Sequence, residues 1–106
     1  MANIFVYGTL RKGEPNHWMM DHDEIVFIRE DVLPGYEKYF KTPNNTGLSF
    51  IRPAEEASVE GELYQIPDNL IPRFDTFEGH PNWYRRTDVS LKSGEKAFVY
   101  AVAPRG

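Results

Sequence analysis

Asn3-Ile4-Phe5-Val6-Tyr7-Gly8-Thr9-Leu10-Arg11-Lys12-Gly13 is a short apolar strand that runs into a turn bracketed by two glycines. Ile4, Phe5, Val6 and Tyr7 follow one another without alternating with polar residues, so the strand is buried, and Gly8 stops it. It starts the sheet. In the turn, Gly8 permits a backbone conformation closed to other residues and exposes the amides of Thr9 and Leu10; successive amides pointing one way bind a carboxylate. The Thr9 hydroxyl and Tyr7 can add hydrogen bonds, and Arg11 or Lys12 can supply charge. Two readings stand side by side: an anion-binding turn, or a tight surface turn with ordinary solvated cations. A phosphate-binding P-loop is excluded, because Glu14 follows Gly13 where that pattern needs Lys.

Outward from this stretch, residues 15–20 form one or two helical turns, with Trp18 and Met19 or Met20 packing inward. Residues 25–27, 36–40 and 48–51 read as short strands, separated by the turn signals Pro34-Gly35 and Pro43-Asn44-Asn45-Thr46-Gly47. Residues 59–66 alternate, with Val59, Gly61, Leu63 and Gln65 on one face and Glu60, Glu62, Tyr64 and Ile66 on the other. Gly61 leaves a gap there, as expected where another backbone or a ligand comes close.

Leu70, Phe74 and Phe77 repeat at helical spacing and predict a helix over 70–77, with Asn69 as N-cap, Pro72 inside the first turn and Gly79 as the stop. Residues 84–91 and 97–103 predict a hairpin closed by Lys92-Ser93-Gly94-Glu95. About six short strands and one helix without regular βα alternation predict an α+β fold: a small mixed β-barrel or strongly curled sheet with a flanking helix.

The chain of 106 residues is expected to be a single domain over 1–106, and 41% hydrophobic residues exclude a disordered chain. Twelve basic against sixteen acidic residues give a net charge of −4, which offers no footprint for nucleic acid. Absence of cysteine removes disulfides, thiolate nucleophiles and Cys-ligated metals together. No stretch approaches the ~20 apolar residues of a membrane span, and no leader pattern precedes the first strand. A cytoplasmic, monomeric protein is the expectation.

Two further groupings carry chemistry. Glu78 ends the amphipathic helix, where a carboxylate opposes the helix dipole; partial burial and the dipole both raise its pKa toward the range useful for proton exchange near neutrality. The alternatives are a solvated glutamate, or one paired with Arg85 or Arg86. Trp83-Tyr84-Arg85-Arg86 either walls a pocket or divides between core and solvent. His17, His22 and His80 lack metal-ligand spacing, and no serine sits in a nucleophile elbow.

Three ordered segments carry a resemblance. Phe5-Val6-Tyr7-Gly8-Thr9-Leu10-Arg11-Lys12-Gly13-Glu14-Pro15-Asn16-His17, Val59-Glu60-Gly61-Glu62-Leu63-Tyr64, and Phe74-Asp75-Thr76-Phe77-Glu78-Gly79-His80-Pro81-Asn82-Trp83-Tyr84-Arg85-Arg86 together resemble the gamma-glutamylcyclotransferase-like family, on its gamma-glutamylaminecyclotransferase and AIG2-like branch. The resemblance implies a cofactor-independent, metal-free enzyme that releases 5-oxoproline from a small-molecule gamma-glutamyl amide. It makes Tyr7, Gly8, Thr9 and Leu10 the pocket for the glutamyl portion, Glu78 the general base and acid, and Tyr84 a further substrate contact. Little chain follows Ala103, so a C-terminal segment covering the pocket is expected to be reduced. Alternatives on the same fold are a catalytically silent binding domain and a cyclotransferase for a different gamma-glutamyl amide.

Overall fold

A computed structural model of the chain describes residues 1–40 and 49–102. The strands are β1 (Ala2–Val6), β2 (Val26–Phe40), β3 (Ser49–Ile66), β4 (Tyr84–Ser90) and β5 (Lys96–Val102), and the helix is α1 (Ile71–Glu78). Short 3-10 turns at His17–Met20 and Asp68–Leu70 precede β2 and α1.

The opening strand lies at the centre of a five-stranded sheet of order β2-β3-β1-β5-β4. It pairs antiparallel with β3, Ala2 opposite Ile66 and Val6 opposite Glu62, and parallel with β5, Ile4 opposite Phe98. A central strand has both faces covered, which is why its apolar run is continuous. Ile4 and Val6 enter a core with Ile66, Phe74 and Phe98 on the helix side. Phe5 and Tyr7 enter a second core with Leu33, Ile51, Leu63 and Val99 on the opposite side.

The expected barrel or strongly curled sheet is not what forms. The α+β class and the single main helix hold, but the sheet is open, with β2 and β4 as its two edges, and has five strands among the described residues. Segments read as separate strands are parts of longer ones: 25–27 and 36–40 belong almost wholly to the 15-residue β2, and 48–51 joins 59–66 in the 18-residue β3. Pro34-Gly35 does not turn the chain. The register shifts between Pro34 and Tyr36, with Gly35 at φ 82°, so the left-handed residue is absorbed as an irregularity inside a strand that continues pairing. The expected turn at 43–47, Leu48 and the hairpin end at Ala103 lie outside the described residues.

Gly61 fills the role its gap implied. A Cβ there would collide with the Val6 carbonyl oxygen and lie 2.6 Å from the Phe5 ring, so the central strand occupies the space a side chain would need. Helix α1 is capped by Leu70 rather than Asn69, because Asp68, Asn69 and Leu70 form their own 3-10 turn first. Pro72 still falls in the first turn, where its missing amide costs nothing. Gly79 stops the helix at φ 70°; its amide donates to the Thr76 carbonyl and the His80 amide to the Asp75 carbonyl. Met19 and Met20 pack inward as expected, but Trp18 is 58% exposed.

Candidate functional site

The turn after β1 and the last turn of α1 meet at one cavity. It measures about 120 Å³ and is lined by residues that include Tyr7, Gly8, Thr9, Leu10, Glu78 and Tyr84. These are the six side chains and turn positions selected from sequence, brought together from three separate parts of the chain. Phe5, Val6, Asn16, Phe77 and Tyr100 also line it and are not among the candidate site residues read from the sequence.

The turn differs in detail from its expected form. Arg11 donates its amide to the Gly8 carbonyl at 3.1 Å, which closes the turn and leaves the Thr9 and Leu10 amides outside that bond. The left-handed glycine of this segment is Gly13, at φ 82°, rather than Gly8. What Gly8 contributes at the cavity wall is the lack of a side chain. Asn16 braces the turn twice: its amide donates to the Thr9 carbonyl at 2.9 Å, and its Nδ2 donates to Thr9 Oγ1 at 2.9 Å. A Thr hydroxyl that accepts from Asn16 keeps its own proton for another acceptor. His17 Nδ1 donates to the Leu10 carbonyl at 2.9 Å, so this histidine serves the loop.

Tyr7 lies under the turn. Its hydroxyl donates to the Tyr100 carbonyl at 2.5 Å, so its proton is already committed. Burial, with the charge of Glu78 nearby, pushes the Tyr7 phenol well above its usual range and keeps it neutral. The neighbouring cations turn elsewhere. Arg11 lies 3.9 Å from Glu14, and the Lys12 ammonium sits 3.5 Å over the Phe27 ring while its amide donates to Glu62. Neither lines the cavity.

Among the described residues lining the cavity Glu78 is the one carboxyl, and burial raises its pKa to about 7. The alternative pairing with Arg85 or Arg86 does not occur. Arg86 instead donates from Nη1 to Asp75 Oδ2 at 2.6 Å, and Arg85 is exposed. Tyr84 forms a cavity wall, its ring stacked on Phe50 at 5.1 Å and 8°. Phe50 stacks in turn on Tyr39. Trp83 is 67% exposed and packs against Gly79, so the aromatic cluster divides: Tyr84 to the cavity, Trp83 to the surface. Among the described residues, no group of three or more His, Asp or Glu side chains is placed to hold a metal ion.

An open mixed sheet whose central strand ends in a turn at a small cavity, which it lines together with a half-buried carboxyl from one short helix, defines an α+β domain with a candidate site at that cavity. Residues 4–106 match the family model described as gamma-glutamyl cyclotransferase, AIG2-like, and the chain belongs to that family. It is 32% identical over 118 residues to gamma-glutamylaminecyclotransferase of Rattus norvegicus, covering 97% of this chain and 79% of the relative. To the Homo sapiens protein of the same name it is 34% identical over 96 residues, covering 87% of this chain and 63% of the relative. An AIG2-like protein of Mus musculus has a crystal structure similar over 100% of this chain and 80% of its own, with TM-score 0.85 and 28% identity. An uncharacterized protein from Pyrococcus horikoshii is similar over 99% of this chain and 80% of its own, with TM-score 0.79 and 30% identity.

Proposed function

We propose that this protein is a gamma-glutamylamine cyclotransferase, converting a gamma-glutamyl amide into 5-oxoproline and a free amine. The observation that carries this reading is the half-buried Glu78 carboxyl, its pKa raised to about 7 by burial, lining one small cavity with Tyr7, Gly8, Thr9 and Leu10. The names of the rat and human relatives support the choice of an amine as leaving group.

The reaction is intramolecular. The alpha-amine of a gamma-glutamyl group lies five-ring distance from its own gamma-carbonyl, so the protein's task is to hold the bent conformer and move protons from the attacking to the departing nitrogen. Glu78 as carboxylate takes a proton from the alpha-ammonium. The freed amine attacks the gamma-carbonyl carbon, giving an adduct whose ring nitrogen carries two protons; the adduct collapses as Glu78 returns its proton to the departing nitrogen, and the regenerated carboxylate then passes the second ring-nitrogen proton to the released amine, which leaves as an ammonium. One C–N bond forms, one breaks, and Glu78 is restored. A carboxyl near pKa ~4 is a weak base for an ammonium, whereas one near 7 is matched to both proton transfers. The amides of Thr9 and Leu10 and the Thr9 hydroxyl donate to the substrate carboxylate and the developing oxyanion. Gly8 leaves room for the glutamyl chain, and Tyr84 packs on its methylenes.

Incubation with gamma-glutamyl-epsilon-lysine is expected to give equimolar 5-oxoproline and lysine by mass spectrometry, at higher kcat/KM than gamma-glutamyl dipeptides or glutathione. Preferred turnover of glutathione would overturn the amine assignment. No 5-oxoproline from any of these substrates would point to the silent binding domain. The acidic limb of the kcat/KM profile is expected near pH 7, where Glu78 loses its proton; a limb near 4 contradicts the proton-transfer role. Thr9→Ala is expected to raise KM by about tenfold with a smaller change in kcat, through loss of a bond to a charged group worth ~1.5 kcal/mol. An unchanged KM returns Thr9 to turn formation alone.

A further inference from the structure

The segment from Phe74 to Arg86 contains an acidic residue that the proposed chemistry does not use. Asp75 lies one helical turn before Glu78 on α1 and does not line the cavity. Its Oδ1 accepts from the Tyr100 hydroxyl at 2.7 Å, its Oδ2 from Arg86 Nη1 at 2.6 Å, and its carbonyl from the His80 amide at 2.9 Å. Each partner carries the connection further. The Tyr100 carbonyl accepts the Tyr7 hydroxyl, and His80 Nδ1 accepts the Arg86 amide at 3.0 Å. One side chain thereby ties α1 to β5 and β4, and through Tyr100 to the turn after β1.

We propose that Asp75 is a positioning residue: through Tyr100 and Arg86 it fixes the Glu78 end of α1 against the Tyr7-Gly8-Thr9-Leu10 turn. Its kinetic consequence rests on the cyclotransferase reading above; its structural consequence does not. The helix has eight residues, too few to hold itself in water, so the place of its last side chain is set by tertiary ties. Phe74 anchors the face toward the sheet, with no exposed surface. Ile71 packs on the same core, so both apolar anchors lie in the first half of the helix, and Asp75 secures the second half with two charge-assisted bonds pointing to different strands. The reach of a general base tolerates little error, since displacement by an ångström already costs heavily in rate.

A purely structural ion pair would behave differently. With side chains 21% and 34% exposed, the Asp75–Arg86 pair acting only as a strut would contribute modestly to stability and leave the environment of Glu78 alone. As a positioning residue it also keeps the Glu78 carboxyl buried. The titratable groups felt by or facing Glu78 are the phenols of Tyr7, Tyr84 and Tyr100, all held neutral through the relevant range by burial, so Glu78 is the group that titrates.

The test is Asp75→Asn in the full chain, with Arg86→Gln and the conservative Arg86→Lys beside it. Four quantities are read: kcat and KM for 5-oxoproline release, the Glu78 midpoint from carboxyl 13C NMR, and Tm. In Asp75→Asn and Arg86→Gln, kcat is expected to fall about tenfold with KM within about twofold. The Glu78 midpoint is expected to drop from about 7 by about one pH unit as the carboxyl becomes solvated, and Arg86→Lys is expected to recover most of both. A lowered Tm with Glu78 midpoint and kcat unchanged overturns the proposal. If Asp75→Asn does not fold, Tyr100→Phe removes only the hydroxyl that reaches Oδ1 and is read the same way. The NMR titration needs no substrate. A wild type that forms no 5-oxoproline overturns the proposed activity, while the Glu78 midpoint still decides for or against the role of Asp75.

Discussion

Glu78→Gln is expected to lower kcat for 5-oxoproline release by about a thousandfold, within the range a positioned acid–base group contributes, with KM nearly unchanged. Gln keeps the size of the side chain and can neither accept nor return the proton. Equal product from wild type and variant would remove Glu78 from the mechanism. The same substitution is expected to stabilise the protein at high pH. Because burial raises the folded carboxyl to about 7, the folded state binds this proton more tightly than the unfolded chain does. The associated stability is fully present below the unfolded value of ~4.3 and is lost as pH rises through 7. At pH 8 the wild type holds an ionised carboxylate at this half-buried place at a cost of about 3 kcal/mol, and Gln avoids that charge. Urea titrations should therefore find Glu78→Gln more stable than wild type at pH 8 and close to it at pH 4. A variant less stable than wild type at pH 8 would mean that Glu78 is held as a paired, favourable charge.

Gly61→Ala is expected to destabilise the fold by about 3 kcal/mol, at the upper end of overpacking penalties. The methyl group would be driven into the Val6 carbonyl and the Phe5 ring, and neither can give way easily. Val6 is bonded into the middle of the sheet, and Phe5 is 1% exposed in the core. Phe5 also lines the cavity, and the turn begins one residue beyond Val6, so a shift there is transmitted to the site. Urea unfolding of the variant should show a lowered midpoint with an unchanged slope. Wild-type stability would show that the two central strands have slack at this position.

Legibility from sequence divided by the range of the interactions involved. Elements set by neighbours in the chain read well: the strand ended by Gly8, the helix stopped by Gly79, the hairpin around Lys92-Ser93-Gly94-Glu95. Pro34-Gly35 was misread because turn chemistry is local, whereas β3 offers β2 a long pairing partner that absorbs the irregularity. That error raised the strand count and with it the expectation of a barrel. Trp18 was placed inward by its hydrophobicity, but it stands exposed with its ring edge-on to Phe77. Asn16 and Tyr100 were missed as cavity residues for a similar reason. Asn16 works by bracing Thr9, and Tyr100 comes from a strand 93 residues beyond Tyr7; neither belongs to a pattern with recognisable spacing.

By itself the sequence determined the α+β class, the buried opening strand, the two motifs that meet at the cavity and the family to which they belong. These follow from residue types and their spacing, which local sterics and hydrophobic periodicity translate directly into elements. Only the tertiary structure decided that the sheet is open, that Arg86 pairs with Asp75 instead of Glu78, and that Tyr7 spends its proton on Tyr100. Each of those outcomes is a competition among partners distant in the chain, and geometry in three dimensions selects the winner. The raised pKa of Glu78 belongs to both: its place at the end of an amphipathic helix predicts a perturbed carboxyl, and its burial in the folded chain raises it to about 7.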